Sequence, residues 1–347
     1  MPATAAYGAT APDSGVNPLA IERRALRDED VAIDIAFCGV CHSDLHAARN
    51  DWGRTNYPFV PGHEIVGTVS AVGKGVTRFK PGDRVAVGTT VDSCRTCDAC
   101  EDGEENYCRE GATGTYNSKD RIDGSPTYGG YSKAIVVAEP YVLRLPDGLD
   151  MAAAAPLLCA GITTYSPLKN WKVGPGTRVG VIGLGGLGHM GVKFAKALGA
   201  KVTMITTSPA KGEDARKLGA DHVLVSTDKA AMRAASRSFD FLLDTIPVKH
   251  DVTPYLFLLD RQGTLCIVGM IEMMEPFHSG LILGGQKAVA GSGVGGIAQT
   301  QEMLDLCAAK GITADIEVIA MHEISHAFER MEKADIKYRF VIDMETL

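Results

Sequence analysis

The cysteines constrain this chain more than any other residues, because six of the nine fall into two patterns that indicate bound metal. Four lie close together in the sequence, at Cys94, Cys97, Cys100 and Cys108. The other two, Cys41 and Cys159, lie far apart, with Gly62-His63-Glu64 between them. A structural zinc takes four protein ligands, whereas a catalytic zinc takes three and keeps one exchangeable position. The grouping therefore predicts two zinc ions per chain, one in a closed site and one in an open site.

Length and charge narrow the class of protein. The 347 residues favour two domains, and 45% hydrophobic with 22% charged residues is enough to bury a core. A formal net charge of -7 without a long basic run argues against a nucleic-acid partner. No apolar run approaches the roughly 20 residues that span a bilayer, and residues 1–18 lack the parts of a signal peptide. We therefore predict a cytoplasmic protein with no membrane partner, whose close cysteines bind metal.

Two different patterns of predicted secondary structure divide the chain, and together they predict an α/β protein. Up to about residue 150, β-branched runs alternate with Gly/Pro turns, which predicts a mostly antiparallel β unit with long loops. These runs are Val31–Ile35, Ile65–Val69, Arg84–Val87 and Ala134–Val137. After Cys159, strand and helix patterns alternate, which predicts a doubly wound parallel sheet. The patterns are a helix at Gly183–Leu198 and strands at Thr177–Ile182, Lys201–Thr206, Asp221–Val225, Phe239–Leu243 and Thr264–Val268. The end of the chain returns to β character at Tyr338–Asp343, so we expect it to rejoin the first domain.

A glycine-rich turn follows the first strand of the second half. Gly183-Leu-Gly-Gly-Leu-Gly188 matches the pattern G-x-G-x-x-G, which alone is weak in a chain with 39 glycines. Its place between an apolar strand and a helix strengthens it, because glycines allow a tight turn and a close approach to a pyrophosphate. The sequence therefore predicts a dinucleotide site formed by Gly183, Gly185, Gly186, Leu187 and Gly188. The alternative is a glycine-rich turn without a ligand.

The end of the next strand indicates which dinucleotide binds. An NAD site normally carries an acid there to hold the ribose 2′-hydroxyl. Here the stretch Thr206–Lys211 contains no acid. Hydroxyl groups and a lysine can accept a 2′-phosphate, which a carboxylate would repel. We therefore predict NADP(H), bound through Thr206, Thr207, Ser208 and Lys211. The alternative is that these are ordinary surface groups.

The open site combines one imidazole with two thiolates. Cys41, His63 and Cys159 are the Cys₂His set that alcohol dehydrogenases use for catalytic zinc. Taken singly, each residue has an ordinary structural role, such as a small buried hydrophobe. We predict that Glu64 is a transient ligand or a nearby carboxylate, and that Asp44 orients the ring of His63 through its free N–H. The alternative is that either residue is an ordinary loop acid.

A hydroxyl and an imidazole flank the first ligand. Ser43 and His46 lie within Cys41-His-Ser-Asp-Leu-His46, where they could carry an alcohol proton between a buried metal and water. The alternative for His46 is a surface histidine without a role.

At these residues the chain resembles the zinc-dependent medium-chain alcohol dehydrogenases, most closely their cinnamyl alcohol dehydrogenase branch of broad-range NADP(H) aldehyde reductases. The motifs that carry the resemblance run almost from end to end. They are Cys38–His46, Val60–Gly67, Pro81–Val85, the four-cysteine loop, Thr115–Asn117, Gly129–Tyr131, Leu158–Tyr165, the glycine turn and Tyr338–Asp343.

The resemblance implies a division of the chain and an assembly. It places a mostly-β, GroES-like catalytic domain at residues 1–157 and 292–347, and a Rossmann dinucleotide-binding domain at 158–291. It also implies a homodimer. The proton relay falls at Ser43 and His46, and the zinc ligands at the two cysteine groups described above.

The resemblance also assigns cofactor contacts. The expected contacts with the pyrophosphate or nicotinamide half of the cofactor are His42, Thr163, Val268, Met270 and Arg339. Apart from the resemblance, we predict that the wall of the substrate pocket is formed by Trp52, Tyr57, Thr90 and Tyr116; the alternative is that these residues near loops belong to the core.

Together these residues predict an enzyme that transfers a hydride between NADP(H) and a primary alcohol or aldehyde, aromatic or medium-chain aliphatic. One alternative is a non-catalytic sensor that binds zinc and NADPH. Another is a zinc-free quinone or enoyl reductase of related architecture, which should lack both cysteine sets. Metal analysis together with an NADPH assay on benzaldehyde distinguishes the three.

Overall fold

Two sheets of different kinds organise the chain, one mostly antiparallel and one parallel. The computed structural model describes residues 3–270 and 273–347. One compact unit consists of Met1–Cys159 and Gly295–Leu347, and the other of Ala160–Val294.

Short strands and long loops make up the first 159 residues. The strands are β1 (Thr4–Gly8), β2 (Asn17–Ile21), β3 (Asp30–Gly39), β4 (Ile65–Val72), β5 (Arg84–Val87), β6 (Thr90–Asp92), β7 (Thr113–Gly114), β8 (Ala134–Ala138) and β9 (Leu143–Arg144). The helices are α1 (His42–Ala48), α2 (Asp98–Glu101) and α3 (Met151–Ala154), with 3-10 turns at Glu105–Tyr107, Glu139–Tyr141 and Ala155–Leu158. The predicted strands of this part are confirmed, since they lie within β3, β4, β5 and β8.

The second unit alternates strands and helices. Its strands are β10 (Arg178–Ile182), β11 (Lys201–Thr206), β12 (His222–Val225), β13 (Phe239–Asp244), β14 (Leu259–Ile267) and β15 (Ala288–Gly291). Its helices are α4 (Ala160–Asn170), α5 (Gly188–Ala197), α6 (Gly212–Lys217), α7 (Lys229–Ala234), α8 (Thr253–Leu258) and α9 (Gly280–Leu283), with a 3-10 turn at Pro209–Lys211.

These six strands form one parallel sheet in the order β12-β11-β10-β13-β14-β15. The order reverses on either side of β10, as in a doubly wound Rossmann sheet, so the predicted parallel sheet is confirmed. Ile182, Ile205, Leu242 and Leu265 belong to the core of this unit. The predicted helix at Gly183–Leu198 begins later than expected, at Gly188, because the glycines before it form a tight turn rather than a first helical turn.

The last segment of the chain completes the first sheet. It contains α10 (Ile297–Lys310), β16 (Ile316–Ala320), α11 (Ile324–Glu332) and β17 (Arg339–Asp343), with 3-10 turns at Met321–Glu323 and Met344–Thr346. The seven-stranded sheet has the order β16-β17-β3-β4-β5-β9, and β8 also pairs with β3. β17 pairs antiparallel with β3 and parallel with β16.

Buried side chains of β3, β4 and β5 form the centre of the first unit's core, among them Ile33, Ile65 and Val85. Two small pairs, β1 with β2 and β6 with β7, lie outside this sheet. Within the described part of the chain, no single helix is long and apolar enough to cross a bilayer; only the broken pair of helical segments at Met151–Leu158 and Ala160–Asn170 reaches the required length and composition.

Candidate metal centres and dinucleotide site

The predicted open metal site forms where three loops of the first unit meet. Cys41 follows β3 and precedes α1, and His63 with Glu64 directly precedes β4. Cys159 follows the 3-10 turn at Ala155–Leu158. All four side chains are buried, and their ligand atoms lie within 4.8 Å of one another. The fold therefore brings together residues that are up to 118 positions apart.

The spacing of these atoms fits a zinc ion. The sulfurs of Cys41 and Cys159 are 3.9 Å apart. Two sulfurs bound to one tetrahedral zinc at about 2.3 Å are separated by about 3.8 Å, whereas a disulfide needs about 2.05 Å. The Nε2 atom of His63 is buried and has no hydrogen-bond partner among the described residues, so it is available to a metal. The residues present thus fit the group that the cysteine pattern predicts.

Buried negative charge surrounds His63. Burial alone would lower the pKa of this imidazole, but Asp44, Cys41 and Glu64 outweigh burial and raise the pKa to about 9. A hydrogen bond from Cys159 lowers the pKa of Cys41 well below its usual value. Thiolate is the form of cysteine that binds metal. Because buried charges require compensation, the cluster favours a cation at its centre.

Glu64 and Arg339 form a buried ion pair beside this cluster. Nη2 of Arg339 donates a hydrogen bond to Oε1 of Glu64, while Oε2 accepts no hydrogen bond from the residues described at 3–270 and 273–347. Burial raises the pKa of Glu64 to about 7, although Arg339 acts in the opposite direction. Arg339 was predicted to contact the cofactor, and in this structure its guanidinium holds Glu64.

Asp44 has a different role from the one predicted. Its Oδ1 is 3.7 Å from Nδ1 of His63, which is outside hydrogen-bond distance. Instead the carboxylate accepts the amides of Cys41 at 2.9 Å and Gly62 at 3.0 Å, and the hydroxyl of Tyr131 at 3.1 Å. Asp44 therefore ties together the two loops that carry the first ligands. The sequence analysis assigned nothing to Tyr131, although Gly129-Gly-Tyr131 carries part of the resemblance.

The residues predicted to line the substrate pocket have distinct environments. Tyr116 places its hydroxyl 2.9 Å from Nδ1 of His63. Trp52 packs near the ring of His46, with 5.6 Å between ring centroids. The hydroxyl of Tyr57 donates to the carbonyl of Ala48 at 2.8 Å. Thr90 is buried at the start of β6.

The predicted proton relay lies on α1. Ser43 and His46 are three residues apart, so they share one face of the helix. The hydroxyl of Ser43 is 3.6 Å from the sulfur of Cys41. The side chain of His46 is 40% exposed, and its Nδ1 is 2.8 Å from a carboxylate oxygen of Asp51. Asp51 was missed by the sequence analysis, where the only signal is an acid just past the end of a short helix.

The four clustered cysteines form a second group in the long loop between β6 and β7. Their sulfurs lie within 4.8 Å of one another, with 3.8 Å between Cys94 and Cys100 and 3.5 Å between Cys97 and Cys100. Amide donors point at two of the sulfurs, from Cys94 to Cys108 at 3.3 Å and from Arg109 to Cys97 at 3.4 Å. Such donors stabilise thiolates around a metal. Four thiols without an additional protein ligand fit a closed zinc site.

The glycine turn has the geometry that the motif predicts. Gly183 directly follows β10 and has a φ of +91°, a conformation that favours glycine. A Cβ at Gly188 would lie 1.8 Å from the carbonyl oxygen of Gly183, whereas a Cβ at Gly185 would meet no atom within 4 Å. Gly186 and Leu187 complete the turn before α5.

The predicted 2′-phosphate groups lie at the end of β11 and reach back to this turn. Oγ1 of Thr206 accepts the amide of Ser208 at 3.2 Å, and Thr207 is exposed. The ammonium of Lys211 donates to the carbonyl of Leu184 at 3.2 Å. A hydroxyl group and a lysine thus adjoin the glycine turn, with no acid in the stretch.

The other predicted cofactor residues divide between the two units. His42 is exposed at the start of α1, and Thr163 is buried in α4. The amide of Val268 donates to the carbonyl of Asp244 at 2.9 Å. Met270 is 59% exposed just beyond β14.

Two family models match the chain. Residues 27–147 match the alcohol dehydrogenase GroES-like domain, and residues 186–309 match the zinc-binding dehydrogenase model. Aldehyde reductase YahK from Escherichia coli (strain K12) is 53% identical over 99% of this chain and 98% of its own length. An NADP-dependent alcohol dehydrogenase C from Mycobacterium bovis is 50% identical over the full length of both chains.

A solved structure supports the same assignment. A cinnamyl alcohol dehydrogenase from Sorghum bicolor superposes with a TM-score of 0.95 at 47% identity, covering 99% of this chain and 98% of its own. The two-zinc cysteine pattern, the antiparallel and parallel sheets and the glycine turn all agree with that likeness. The chain belongs to the zinc-dependent medium-chain alcohol dehydrogenases, in their cinnamyl alcohol dehydrogenase-like branch.

Proposed function

We propose that this alcohol dehydrogenase acts as an aldehyde reductase that uses NADPH on aromatic or medium-chain aliphatic aldehydes, and that it catalyses the reverse oxidation of primary alcohols. The observation that carries the proposal is the buried group of Cys41, His63 and Cys159, in which Nε2 of His63 has no hydrogen-bond partner in the described part of the chain. Relatives named aldehyde reductase and NADP-dependent alcohol dehydrogenase support it.

The choice of NADPH rests on the second strand of the parallel sheet. No carboxylate stands at the end of β11 to repel a 2′-phosphate, and Lys211 supplies a positive charge beside the glycine turn. Thr206, Thr207 and Ser208 are the hydroxyl donors that would complete this phosphate site.

The metal ligands and the residues that hold them in place would prepare the site for reduction of an aldehyde. Cys41, His63 and Cys159 would hold the catalytic zinc, and Asp44 keeps the two ligand loops together. When bound, zinc acts as a Lewis acid on the substrate oxygen and NADPH supplies the hydride. Glu64, held by Arg339, places a carboxyl group next to the ligands.

The chain's own residues carry the proton. The hydroxyl of Ser43, beside Cys41, is placed to donate a proton to the oxygen of the reduced product. His46, one turn further along α1 and partly exposed, can return a proton to Ser43 from solvent, and Asp51 holds its ring. The reverse sequence removes the proton of an alcohol.

The proposal also includes the oligomeric state of the enzyme and its cellular compartment. Large apolar side chains of the second unit are exposed at Met270, Met273 and Leu283, and a contact with another chain would remove them from water. Together with the family resemblance, this supports a homodimer. All nine cysteines lie in the described part of the chain and none of them forms a disulfide, which suits the cytoplasm.

The test combines metal analysis with kinetics on the purified protein. We expect two zinc ions per chain, consumption of NADPH with benzaldehyde, and a higher kcat/KM with NADPH than with NADH. The His63→Ala variant should lose turnover by at least about 100-fold while NADPH binding remains measurable by fluorescence. Equal or better kcat/KM with NADH would reject the cofactor proposal, and an unchanged kcat in His63→Ala would reject the catalytic site.

A further inference from the structure

The imidazole of His63 has one nitrogen for a metal and one for the protein. Nε2 is buried and forms no hydrogen bond with any residue that the structure describes, which leaves it for the ion. Nδ1 then carries the ring proton, and it lies 2.9 Å from the hydroxyl oxygen of Tyr116. A ligand histidine in a metal site usually donates this N–H to an oxygen acceptor that fixes the tautomer and the ring plane. Tyr116 occupies that position here.

The nearest carboxylate is not free to replace Tyr116. Asp44 lies 3.7 Å from Nδ1 of His63, and its two oxygens already accept three hydrogen bonds, from two backbone amides and from Tyr131. A carboxylate held in this way attracts the imidazole electrostatically but does not set the plane of its ring. The directional contact comes from the phenol.

Packing holds the ring of Tyr116 in place. It packs edge-on against Phe59, with 5.1 Å between centroids and an interplanar angle of 81°. It is also 5.2 Å from the imidazole of His63, with the two planes tilted by 44°. The edge-on arrangement is a favoured geometry for two aromatic rings, and it stabilises this position of the phenol. The hydroxyl can therefore act as a fixed acceptor.

The backbone on both sides of Tyr116 is held as well. The hydroxyl of Thr115 donates to the carbonyl of Gly88 at 2.5 Å, and its amide donates to Thr89 at 3.0 Å. On the other side, the side-chain oxygen of Asn117 accepts the amide of Asn56 at 2.8 Å. The backbone that carries the phenol is therefore restrained by hydrogen bonds on both sides.

We propose that Tyr116 is a positioning residue of the catalytic metal site, whose hydroxyl accepts the Nδ1 proton of His63 and keeps Nε2 directed at the ion. The inference rests on the proposed catalytic zinc and adds a role to a residue otherwise expected only to line the substrate pocket. Loss of such a partner typically weakens metal binding about 10- to 100-fold. The effect belongs to the open site alone, because the Cys94–Cys108 cluster contains no histidine.

The Tyr116→Phe variant tests this inference, because it removes one oxygen and keeps the ring on Phe59. The matched control is Tyr255→Phe, which removes a phenol hydroxyl that bonds to Ser226 in the second unit. Zinc release from each holoenzyme to a chromogenic chelator should occur in two phases, one for each site. The structural phase serves as an internal control for folding. A second measurement replaces the catalytic zinc by Co²⁺ and records its visible absorption.

We expect the catalytic phase of Tyr116→Phe to be about 10-fold faster or more, with the structural phase unchanged and the cobalt bands shifted. Tyr255→Phe should match the wild type in both measurements. A wild-type catalytic phase and cobalt spectrum in Tyr116→Phe would overturn the inference, and so would equal acceleration of both phases, which indicates general loosening. If the wild type itself bound a single zinc, the proposed function would fail instead.

Discussion

At the scale of single residues, the proposed proton relay depends on the contact between His46 and Asp51. Both side chains are about two-fifths exposed, so the contact is a surface one. Its value lies in orientation, because an imidazole held at Nδ1 presents Nε2 in a defined direction. His46 can then face Ser43 along α1 instead of turning freely in solvent.

The Asp51→Asn variant should lower kcat for aldehyde reduction by about two- to five-fold, since exposed pairs of this kind are worth about 0.5–1 kcal/mol. KM for NADPH should stay the same. The measurement is steady-state kinetics with benzaldehyde in H₂O and D₂O, where a slower proton step raises the solvent isotope effect. Asp335→Asn, which changes an exposed acid paired with Arg330, is the control. An unchanged kcat in Asp51→Asn would count against the orientation of His46.

Functional residues could be predicted from the sequence where their spacing along the chain alone indicates their chemistry. The four clustered cysteines share one loop, so their pattern indicates a metal without any knowledge of the fold. The contact between Tyr116 and His63 spans 53 residues and depends on how two loops meet. The prediction that Asp44 orients His63 failed for the same reason. The carboxylate oxygens of Asp44 accept hydrogen bonds from Gly62 and Tyr131, and the sequence does not show that these residues lie nearby.

At the scale of elements, the turn between β10 and α5 separates two uses of glycine. Gly188 lets α5 begin directly against the carbonyl of Gly183, where a Cβ would collide. Gly185 has open space around it, which is where the backbone can approach a pyrophosphate. We therefore predict that Gly188 is needed for folding and that Gly185 is needed for binding the dinucleotide.

Paired variants distinguish these uses. Gly188→Ala should destabilise the protein by about 1–3 kcal/mol, the usual cost of overpacking, and should lower its Tm even without cofactor. Gly185→Ala should keep the wild-type Tm without cofactor and should raise the Kd for NADPH, because its methyl group occupies the ligand's space. Thermal unfolding and NADPH fluorescence titration measure both effects. The reverse assignment of the two phenotypes would contradict this division.

A second element-scale feature fastens the segment before β3 to the loop at 120–123. Asp120 accepts a two-pronged hydrogen bond from Arg27 and the amides of Ile122 and Asp123. Burial alone would raise the pKa of this carboxyl, but these donors outweigh burial and lower the pKa to about 2. The ionised form therefore stabilises the fold.

Asp120→Asn should lower stability at pH 7 by roughly 1–2 kcal/mol after allowance for partial exposure. Because the folded pKa lies below the unfolded one, the stabilisation is complete above about pH 4 and disappears as pH falls toward 2. The Tm difference between wild type and variant should accordingly be constant from pH 7.5 to about pH 4 and shrink below that. Asp147→Asn, an exposed acid of the same unit, should show no difference. A Tm difference that already vanishes by pH 6 would refute the assignment.

Strands and helices could be predicted from the sequence where the local residue pattern favours the same structure as the complete fold. The strand, glycine turn and helix of the nucleotide site follow from apolar periodicity and turn chemistry. The pair of β1 and β2 was not predicted, because Thr4–Gly8 is short and rich in alanine and the second strand contains Pro18. Its pairing depends on long-range contacts such as the bridge from Ala9 to Phe59.

At the scale of the whole molecule, the two metal groups lie in one unit and share a structural connection. The β6–β7 pair closes both ends of the Cys94–Cys108 loop. Tyr116 lies two residues beyond β7 and reaches His63 at the open site. An ion that fixes the closed loop should therefore also fix the acceptor that orients a ligand of the other ion.

The Cys97→Ala variant tests this connection between the sites. We expect it to retain one zinc per chain and to release that zinc roughly 10-fold faster than the wild-type catalytic site, because a loosened β7 no longer holds Tyr116 against His63. Mass spectrometry gives the metal content, and chelator kinetics give the release rate. Cys266→Ala, which removes a buried sulfur from the second unit, should keep both ions at wild-type rates. If the remaining zinc of Cys97→Ala left at the wild-type rate, the two centres would be independent, and the cysteine loop would serve the stability of its own segment alone.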